Sequence, residues 1–216
     1  MAGGEVADAE VRDLADAGGG GEGVLEFAGA PHVRRDEPAG VDRQDAERAS
    51  LVGLGFGGWV AAEMCALAPR DFHRLVLVGA MGVKPPEGDI LDQAIVSYID
   101  YARAGFHDQA AFARVFGDVS TDQLVAWDLC REMSFRIAWK PYMYSQTLPH
   151  LLGGVRAPAL VVWGDDDKIV PKGAGERYVR SLRDARLEIV SAAGHCVDME
   201  QPEALARLVT PFIEQN

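Results

Sequence analysis

The amino-acid sequence predicts an α/β fold with a mostly parallel sheet and flanking helices. The main observation is that short apolar segments alternate with helix-like blocks from Glu47 to the end of the chain. Such alternation is typical of strand–helix–strand units joined by right-handed crossovers. The length of 216 residues is sufficient for one domain with a sizeable core, or for one domain with a small insertion. We therefore expect one α/β core over residues 47–216.

Four apolar segments are the predicted strands, because each is short, rich in Val and Leu or Ile, and bounded by turn-forming residues. They are ASLVG, RLVLVGA, PALVVWG and RLEIV, which begin at Ala49, Arg74, Pro158 and Arg186. Helix-like blocks follow the first, third and fourth strands; these are GGWVAAEMCALA, a block near Gly175 to Leu182, and PEALARLVTPFIEQ. The second strand leads instead into a helical tract with several apolar stripes, from about Asp89 to Tyr144. We predict that this tract is a helical insertion over about residues 84–150.

Residues 1–46 differ in composition from the rest of the chain. They consist mostly of Gly, Ala, Asp, Glu, Val and Arg, with no Ile, Lys, Ser, Thr, Tyr or Trp. A segment with so little apolar surface cannot offset the entropy lost on folding. We therefore predict a poorly structured or atypical N-terminal segment, in which only VLEF (residues 24–27) resembles a strand.

The charge balance limits the kinds of partner. A net charge of -12 repels polyanions, so we expect neither a nucleic-acid nor a membrane partner. The three cysteines, Cys65, Cys130 and Cys196, are too few and too scattered for a disulfide framework or a zinc cluster. The sequence shows neither a secretory signal nor an apolar run of roughly 20 residues. These features predict a cytoplasmic protein without a metal or another cofactor.

The segment LVGLGFGGWVAAEM (residues 51–64) combines a strand, a glycine-rich turn and the start of a helix. Gly53, Gly55 and Gly58 match G-x-G-x-x-G, the pattern of a dinucleotide-binding loop. The same residues match the nucleophile-elbow pattern G-x-S-x-G, except that Gly55 stands where serine is expected. A dinucleotide site also requires an acidic residue about 20 positions further on. The next strand ends at Gly79 and Ala80 with no carboxylate, which disfavours nucleotide binding.

Two further strand-end loops carry candidate catalytic residues. Asp167 lies in WGDDDKIVP after the third strand, and His195 lies in AAGHCVDMEQPEAL after the fourth. Strand ends of a parallel sheet meet at one edge, and a carboxylate beside an imidazole fixes its tautomer and stabilises its cation. Taken singly, an Asp in such a loop is usually a turn former and a His is usually a polar residue with ordinary hydrogen bonds. Their joint placement is what predicts a site.

In these motifs the chain resembles the α/β-hydrolase family. The resemblance rests on GLGFGG (residues 53–58), on Gly164 followed by Asp167, Val170 and Pro171, and on Gly194-His195 followed by Glu200, Pro202 and Glu203. The order of elbow, acid and histidine is that of the family. The resemblance implies a partial α/β-hydrolase fold in which residues 84–150 form a helical cap. It also implies that Asp167 is the acid, that His195 is the base, and that Asp165 and Asp166 are solvated loop residues.

The resemblance also shows what this sequence lacks. Gly55 has no side chain that could attack a carbonyl, so the catalytic triad is incomplete. The backbone N–H of Phe56 corresponds to one oxyanion donor, but the loop that supplies the second donor has no counterpart in residues 1–46. Because several strands of the family are also missing there, we hypothesise that residues 1–46 are a misread or truncated start. The first strand would then have an exposed edge through which the chain could form a homo-oligomer.

Aromatic residues in the predicted cap indicate the kind of substrate. Trp127, Trp139 and Tyr142 are candidates for a pocket, although aromatic residues at helical spacing are more often core. GAMGVKPPEG (residues 79–88) resembles capped carbon–carbon bond hydrolases and related esterases. We therefore expect a hydrolase of ester or carbon–carbon bonds in small apolar or aromatic substrates, inactive or strongly impaired. The alternative is a non-catalytic module that binds a small molecule or a partner.

Overall fold

The computed structural model describes residues 49–215. The predicted N-terminal segment, with its candidate strand VLEF, lies outside the described residues. Four parallel strands pair in the order β1-β2-β3-β4. Their bounds are Ala49–Leu54 for β1, Phe72–Val78 for β2, Ala159–Gly164 for β3 and Ala185–Val190 for β4.

Helices follow every strand. Helix α1 (Gly55–Leu67) follows β1, and the segment between β2 and β3 contains α2 (Tyr98–Ala104), α3 (Gln109–Phe116), α4 (Thr121–Ala138) and α5 (Leu148–Leu151). A short 3₁₀ turn, Leu152–Gly154, then leads to β3. Helix α6 (Gly173–Ser181) follows β3, and α7 (Val197–Glu200) and α8 (Pro202–Ile213) follow β4. The predicted α/β class with a parallel sheet is thus confirmed.

The sheet is buried on both faces in its centre. Leu75, Leu77 and Val161 pack into the core cluster on one face, and Val76 and Leu160 pack into the cluster on the other. This arrangement explains why the central strands are continuous apolar runs rather than alternating ones. Within residues 49–215, β1 is hydrogen-bonded to a strand on one side, to β2.

Two glycines allow α1 to lie very close to the sheet. A Cβ on Gly53 would lie 2.6 Å from the carbonyl oxygen of Gly57, and a Cβ on Gly58 would lie 2.6 Å from the Cβ of Ala80. Real Cβ atoms do not approach neighbours so closely, so these two positions exclude any larger residue. The glycine pattern therefore has a packing cause that does not involve a nucleotide.

The helices between β2 and β3 have a small core of their own. Trp127 on α4, Phe106 and Phe112 are buried together, and Phe116 packs against Trp127 with ring centroids 5.4 Å apart. Side chains of Ser97, Asp108 and Ser120 cap the N-termini of α2, α3 and α4. None of the helices in residues 49–215 is both long and apolar enough to span a membrane.

Candidate active site

The loops that follow β3 and β4 bring an acid and a histidine together. His195 Nδ1 lies 2.9 Å from Asp167 Oδ2, and the two side chains are 14% and 1% exposed. The other oxygen, Asp167 Oδ1, accepts hydrogen bonds from the backbone N–H groups of Ile169 (2.9 Å) and Val170 (2.8 Å). Both carboxylate oxygens are therefore occupied, and the carboxylate is held with one oxygen towards the imidazole. This geometry favours a proton on Nδ1 and leaves Nε2 as the basic nitrogen.

The other two members of the aspartate triplet have different partners. Asp166 Oδ2 lies 2.9 Å from His107 Nδ1 and 2.8 Å from Lys168 Nζ. These hydrogen bonds, first from Lys168 and then from His107, lower the pKa of Asp166. Asp165 Oδ1 is 3.4 Å from the backbone nitrogen of Ala193. Asp167 is thus the member of the triplet that lies against His195.

Gly55 is the first residue of α1, directly after β1, and a side chain at this position would point at His195. Its φ of +51° is in the left-handed region that glycine adopts without strain. A Cβ at this position would lie 3.2 Å from His195 Nε2 and 4.0 Å from Cε1. The residue at this turn therefore faces the basic nitrogen of the imidazole, as a nucleophile requires.

A second glycine lies against the same ring. Gly79, directly after β2, has a φ of +54°, and its Cβ would lie 3.1 Å from His195 Nδ1. The imidazole therefore lies against two backbone turns, at the ends of β1 and β2, and a Cβ at either glycine would be a tight contact that requires the neighbour to shift by a few tenths of an ångström. This packing restricts the orientation of the ring.

Phe56 lies in the first turn of α1, where backbone N–H groups have no acceptor in their own helix. Its side chain packs against the main core and lies edge-to-face to Trp59, with the ring centroids 5.4 Å apart. The backbone N–H beside Gly55 is thus in a position where an oxyanion donor would be required, although its role stays a prediction.

A turn of the helical insertion is hydrogen-bonded to the loop that carries His195. Glu200 accepts two backbone hydrogen bonds, from Gly194 N–H (2.5 Å) and from Asp108 N–H (2.8 Å). The Cys196 N–H donates to Gly105 O at 2.9 Å. A Cβ on Gly194 would lie 2.5 Å from Gly105 O, so glycine is required before the histidine. Residues 105–108 therefore help to fix the His195 loop.

A second carboxylate interacts electrostatically with His195. Asp198, on α7, is half-buried. Burial raises the pKa of Asp198 above its ordinary value, although hydrogen bonds from backbone N–H groups and the attraction of His195 act in the opposite direction. The sequence motif indicated neither this interaction nor the contact between His107 and Asp166. The sequence did contain an indication of Glu200, because Glu200 belongs to the motif that follows His195.

The three candidate pocket residues lie in different environments. Trp127 is 2% exposed in the core of the insertion, and Trp139 is 54% exposed beyond the end of α4. Tyr142 lines an open cleft of about 450 Å³, where its hydroxyl accepts from Gln93 N–H and donates to Leu91 O. The cleft is lined by Lys84, Pro85, Asp89, Ile90, Leu91, Asp92, Ile95, Tyr142 and Tyr144. Neither Asp167 nor His195 lines it.

The fold and the site together define an α/β-hydrolase type of architecture. A parallel sheet presents a left-handed turn, an acid and a histidine at its strand ends, in the chain order of that class. The chain belongs to the alpha/beta hydrolase family, whose model matches residues 4–208. The resemblance read from the motifs is thereby confirmed.

Curated relatives include hydrolases of carbon–carbon bonds. The chain is 27% identical over 187 residues to the 2-hydroxy-6-oxononadienedioate/2-hydroxy-6-oxononatrienedioate hydrolase of Paraburkholderia xenovorans, with 80% of this chain and 64% of that protein covered. It is 28% identical over 194 residues to the 2-hydroxy-6-oxo-6-phenylhexa-2,4-dienoate hydrolase of Comamonas testosteroni, with 82% and 66% covered. The chain thus spans about two-thirds of the length of these relatives.

Solved structures share the fold. A 2-hydroxy-6-oxo-6-phenylhexa-2,4-dienoate hydrolase from Rhodococcus sp. superposes with a TM-score of 0.56 at 19% identity, covering 76% of this chain and 63% of that chain. A mutant of the meta-cleavage product hydrolase from Pseudomonas fluorescens gives a TM-score of 0.58 at 22% identity, covering 77% and 64%. At these identities the likeness concerns the fold alone.

Proposed function

We propose that this protein has the site of a hydrolase of ester or carbon–carbon bonds whose covalent step is lost because Gly55 replaces the nucleophilic serine. The observation that carries the proposal is the position of His195 Nε2, 3.2 Å from where a side chain would begin on Gly55. The hydrogen bond between His195 and the buried Asp167 supports a base of the kind that activates a serine.

The chemistry that the site supports is limited by the missing hydroxyl. In a complete triad, the histidine removes the proton of the serine, which attacks the carbonyl and forms an acyl-enzyme. Loss of the serine of such a triad lowers kcat roughly a millionfold, and the remaining 10³ to 10⁴ over water comes from the oxyanion hole and binding. At this site His195 retains a basic nitrogen, and the N–H of Phe56 is the candidate oxyanion donor. We therefore propose activity that is absent or strongly impaired.

The proposed substrate is a small apolar or aromatic molecule. Support comes from the names of the relatives, which act on dienoates and dienedioates, one of them with a phenyl group. Helices α2–α4 would act as the cap. We further propose a cytoplasmic location without nucleic-acid partners.

Hydrolysis of a chromogenic short-chain ester tests the proposal. The unaltered chain and Gly55→Ala should be inactive, Gly55→Ser should gain activity, and Gly55→Ser combined with His195→Ala should lose it. Gly55→Ala is the matched control because it carries the same Cβ at the same φ without a hydroxyl. Robust hydrolysis by the unaltered chain that disappears in His195→Ala would contradict the proposed loss of the covalent step.

The second candidate function is a non-catalytic binding module. It is favoured by the cleft at Tyr142, which neither Asp167 nor His195 lines, so that a ligand could bind there without a nucleophile. Calorimetric titration with phenyl-substituted carboxylic acids tests it. Tight, saturable binding that Tyr142→Ala weakens, together with no hydrolysis by Gly55→Ser, would favour this function over the hydrolase.

A further inference from the structure

Helix α4 is apolar on two opposite faces. Its inner face carries Trp127 and Ala138, which are buried in the insertion and the main core. Its outer face carries Val125, Leu129, Met133 and Ile137, which are between 54% and 70% exposed. Single exposed apolar residues are normal, but these four recur at every fourth position and form a continuous ridge. A helix that is apolar on both sides is typical of one that is covered on both sides.

The charges at the two ends of this outer face are opposite. Asp122 lies in the first turn of α4, and Lys140 lies just after its last residue; both are exposed. They are 18 positions apart, a separation equal to five full turns of an α-helix, with Lys140 two residues beyond the end of α4. The backbone remains helical through Trp139. The ridge thus ends in a negative charge at one end and a positive charge at the other.

Both patterns have the same centre. The midpoint of Val125 and Ile137 is position 131, and so is the midpoint of Asp122 and Lys140. A surface with this symmetry is complementary to a second copy turned by 180° about that midpoint. In such a pair Leu129 meets Met133 of the other copy, Val125 meets Ile137, and Asp122 meets Lys140. The helix dipoles are then antiparallel, which is also favourable.

We propose that the outer face of α4 is a homodimer interface in which two copies pack antiparallel around a two-fold axis. This face is self-complementary, as an isologous interface must be. A single ridge of four apolar side chains is smaller than the about 800 Å² per partner of a standard interface. The dimer should therefore dissociate on dilution, with a Kd of micromolar order.

Sedimentation velocity of the full chain over about 1 to 100 μM tests this interface. We expect a concentration-dependent monomer–dimer equilibrium. The double variant Leu129→Glu/Met133→Glu should remain monomeric, because four carboxylates would meet at the axis. Leu67→Glu is the matched control, because Leu67 is 80% exposed on α1, and it should dimerise like the unaltered chain. Circular dichroism confirms that each variant is folded.

A charge exchange tests the antiparallel register. Asp122→Lys and Lys140→Asp should each weaken self-association about tenfold, since like charges then meet at both ends of the pair. An equimolar mixture of the two variants should associate again, because each pair of ends then joins Lys to Asp. High salt should reduce all of these differences.

Three results would overturn the proposal. The first is a full chain that stays monomeric throughout the concentration range, as expected if residues 1–48 covered the ridge within one molecule. The second is association that persists in Leu129→Glu/Met133→Glu, which would indicate another surface such as the edge of β1. The third is a mixture of the two charge variants that associates no better than either variant alone.

Discussion

His195 Nε2 faces the backbone of Gly55 at the end of β1, 3.2 Å from where a Cβ would be attached. The relationship depends on the left-handed φ of Gly55 and on the hydrogen bond from the opposite ring nitrogen, Nδ1, to Asp167. Together they define a direction along which a side-chain hydroxyl would meet the base. A glycine adopts this left-handed turn without strain and has no side-chain group that could attack a carbonyl.

The glycines around this turn should respond differently to substitution by alanine. Gly53→Ala and Gly58→Ala should each destabilise the protein by about 2 kcal/mol, because their Cβ atoms would lie 2.6 Å from neighbouring atoms. Gly57→Ala is the control: nothing lies within 4 Å of its Cβ, and alanine in a helix gains about 0.5 to 1 kcal/mol over glycine. Urea unfolding measures all three. Equal effects at the three positions would contradict the packing explanation.

Asp167→Asn should change the tautomer of His195. The asparagine oxygen can still accept from the Ile169 and Val170 N–H groups, which leaves its NH₂ towards His195 Nδ1. The imidazole proton should then move to Nε2, where it removes the basic nitrogen that faces Gly55. NMR of the ¹⁵N-labelled imidazole detects the change of tautomer. The free energy of unfolding should fall by about 1.5 to 3 kcal/mol.

The control for this variant is Asp166→Asn, because Asp166 is 39% exposed and its ion pairs are at the surface. Asp166→Asn should leave the tautomer of His195 unchanged and lower the free energy of unfolding by less than about 1 kcal/mol. A proton that remains on Nδ1 in Asp167→Asn would show that Asp167 does not determine the tautomer.

Glu200→Gln should loosen the loop that carries His195. The glutamine keeps one acceptor and presents NH₂ to the other backbone N–H, so one of the bonds to Gly194 and Asp108 is lost. We expect the free energy of unfolding to fall by about 2 kcal/mol, and hydrogen exchange to become faster at these two amides. Glu203→Gln, at an exposed position of α8, should change neither. Unaltered exchange at Gly194 in Glu200→Gln would exclude Glu200 as a positioning residue.

The stability should fall above pH 9 because of Cys65. Burial raises the pKa of this thiol from 9.0 to about 12. Above pH 9 the unfolded chain therefore loses a proton that the folded chain keeps, so folding is progressively disfavoured up to about pH 12. Between pH 8 and 10.5 the unaltered chain should lose about 2 kcal/mol more than Cys65→Ala. Cys130→Ala leaves Cys65 in place, so its free energy of unfolding should fall with pH as steeply as that of the unaltered chain. Identical pH profiles for Cys65→Ala and the unaltered chain would contradict the role of Cys65.

The strands were predictable from sequence because buried parallel strands are continuous apolar runs between turns. PALVVWG corresponds to β3 and RLEIV to β4 within one residue. The insertion was less predictable. Its tract was expected to be helical from about Asp89, but the first helix begins at Tyr98. Residues before it form tertiary hydrogen bonds instead, such as that from Leu91 N–H to Ile169 O, and no local pattern reveals them.

The site was partly predictable, because two of its residues follow predicted strands in recognisable motifs. Motif order and strand-end placement led to Asp167 and His195, whose hydrogen bond depends on neighbouring strands of one sheet. Glu200 belongs to the motif that follows His195, but its contact with Asp108 was not predictable, because Asp108 lies in the insertion. The different burial of Trp127 and Trp139 could not be read from spacing, because spacing does not show which side of α4 faces the core.

Covalent labelling with a fluorophosphonate, which reacts with activated serines, tests the central claim most directly. Intact-mass spectrometry should show one adduct on Gly55→Ser, mapped to position 55, and none on the unaltered chain or Gly55→Ala. The labelling should disappear when His195→Ala is added to Gly55→Ser. A serine at the left-handed φ of position 55 should lower the free energy of unfolding by about 1 to 3 kcal/mol, so the folding of Gly55→Ser is checked first. A folded Gly55→Ser that stays unlabelled, or an unaltered chain that is labelled, would contradict the account of an elbow in which Gly55 stands in place of the nucleophile.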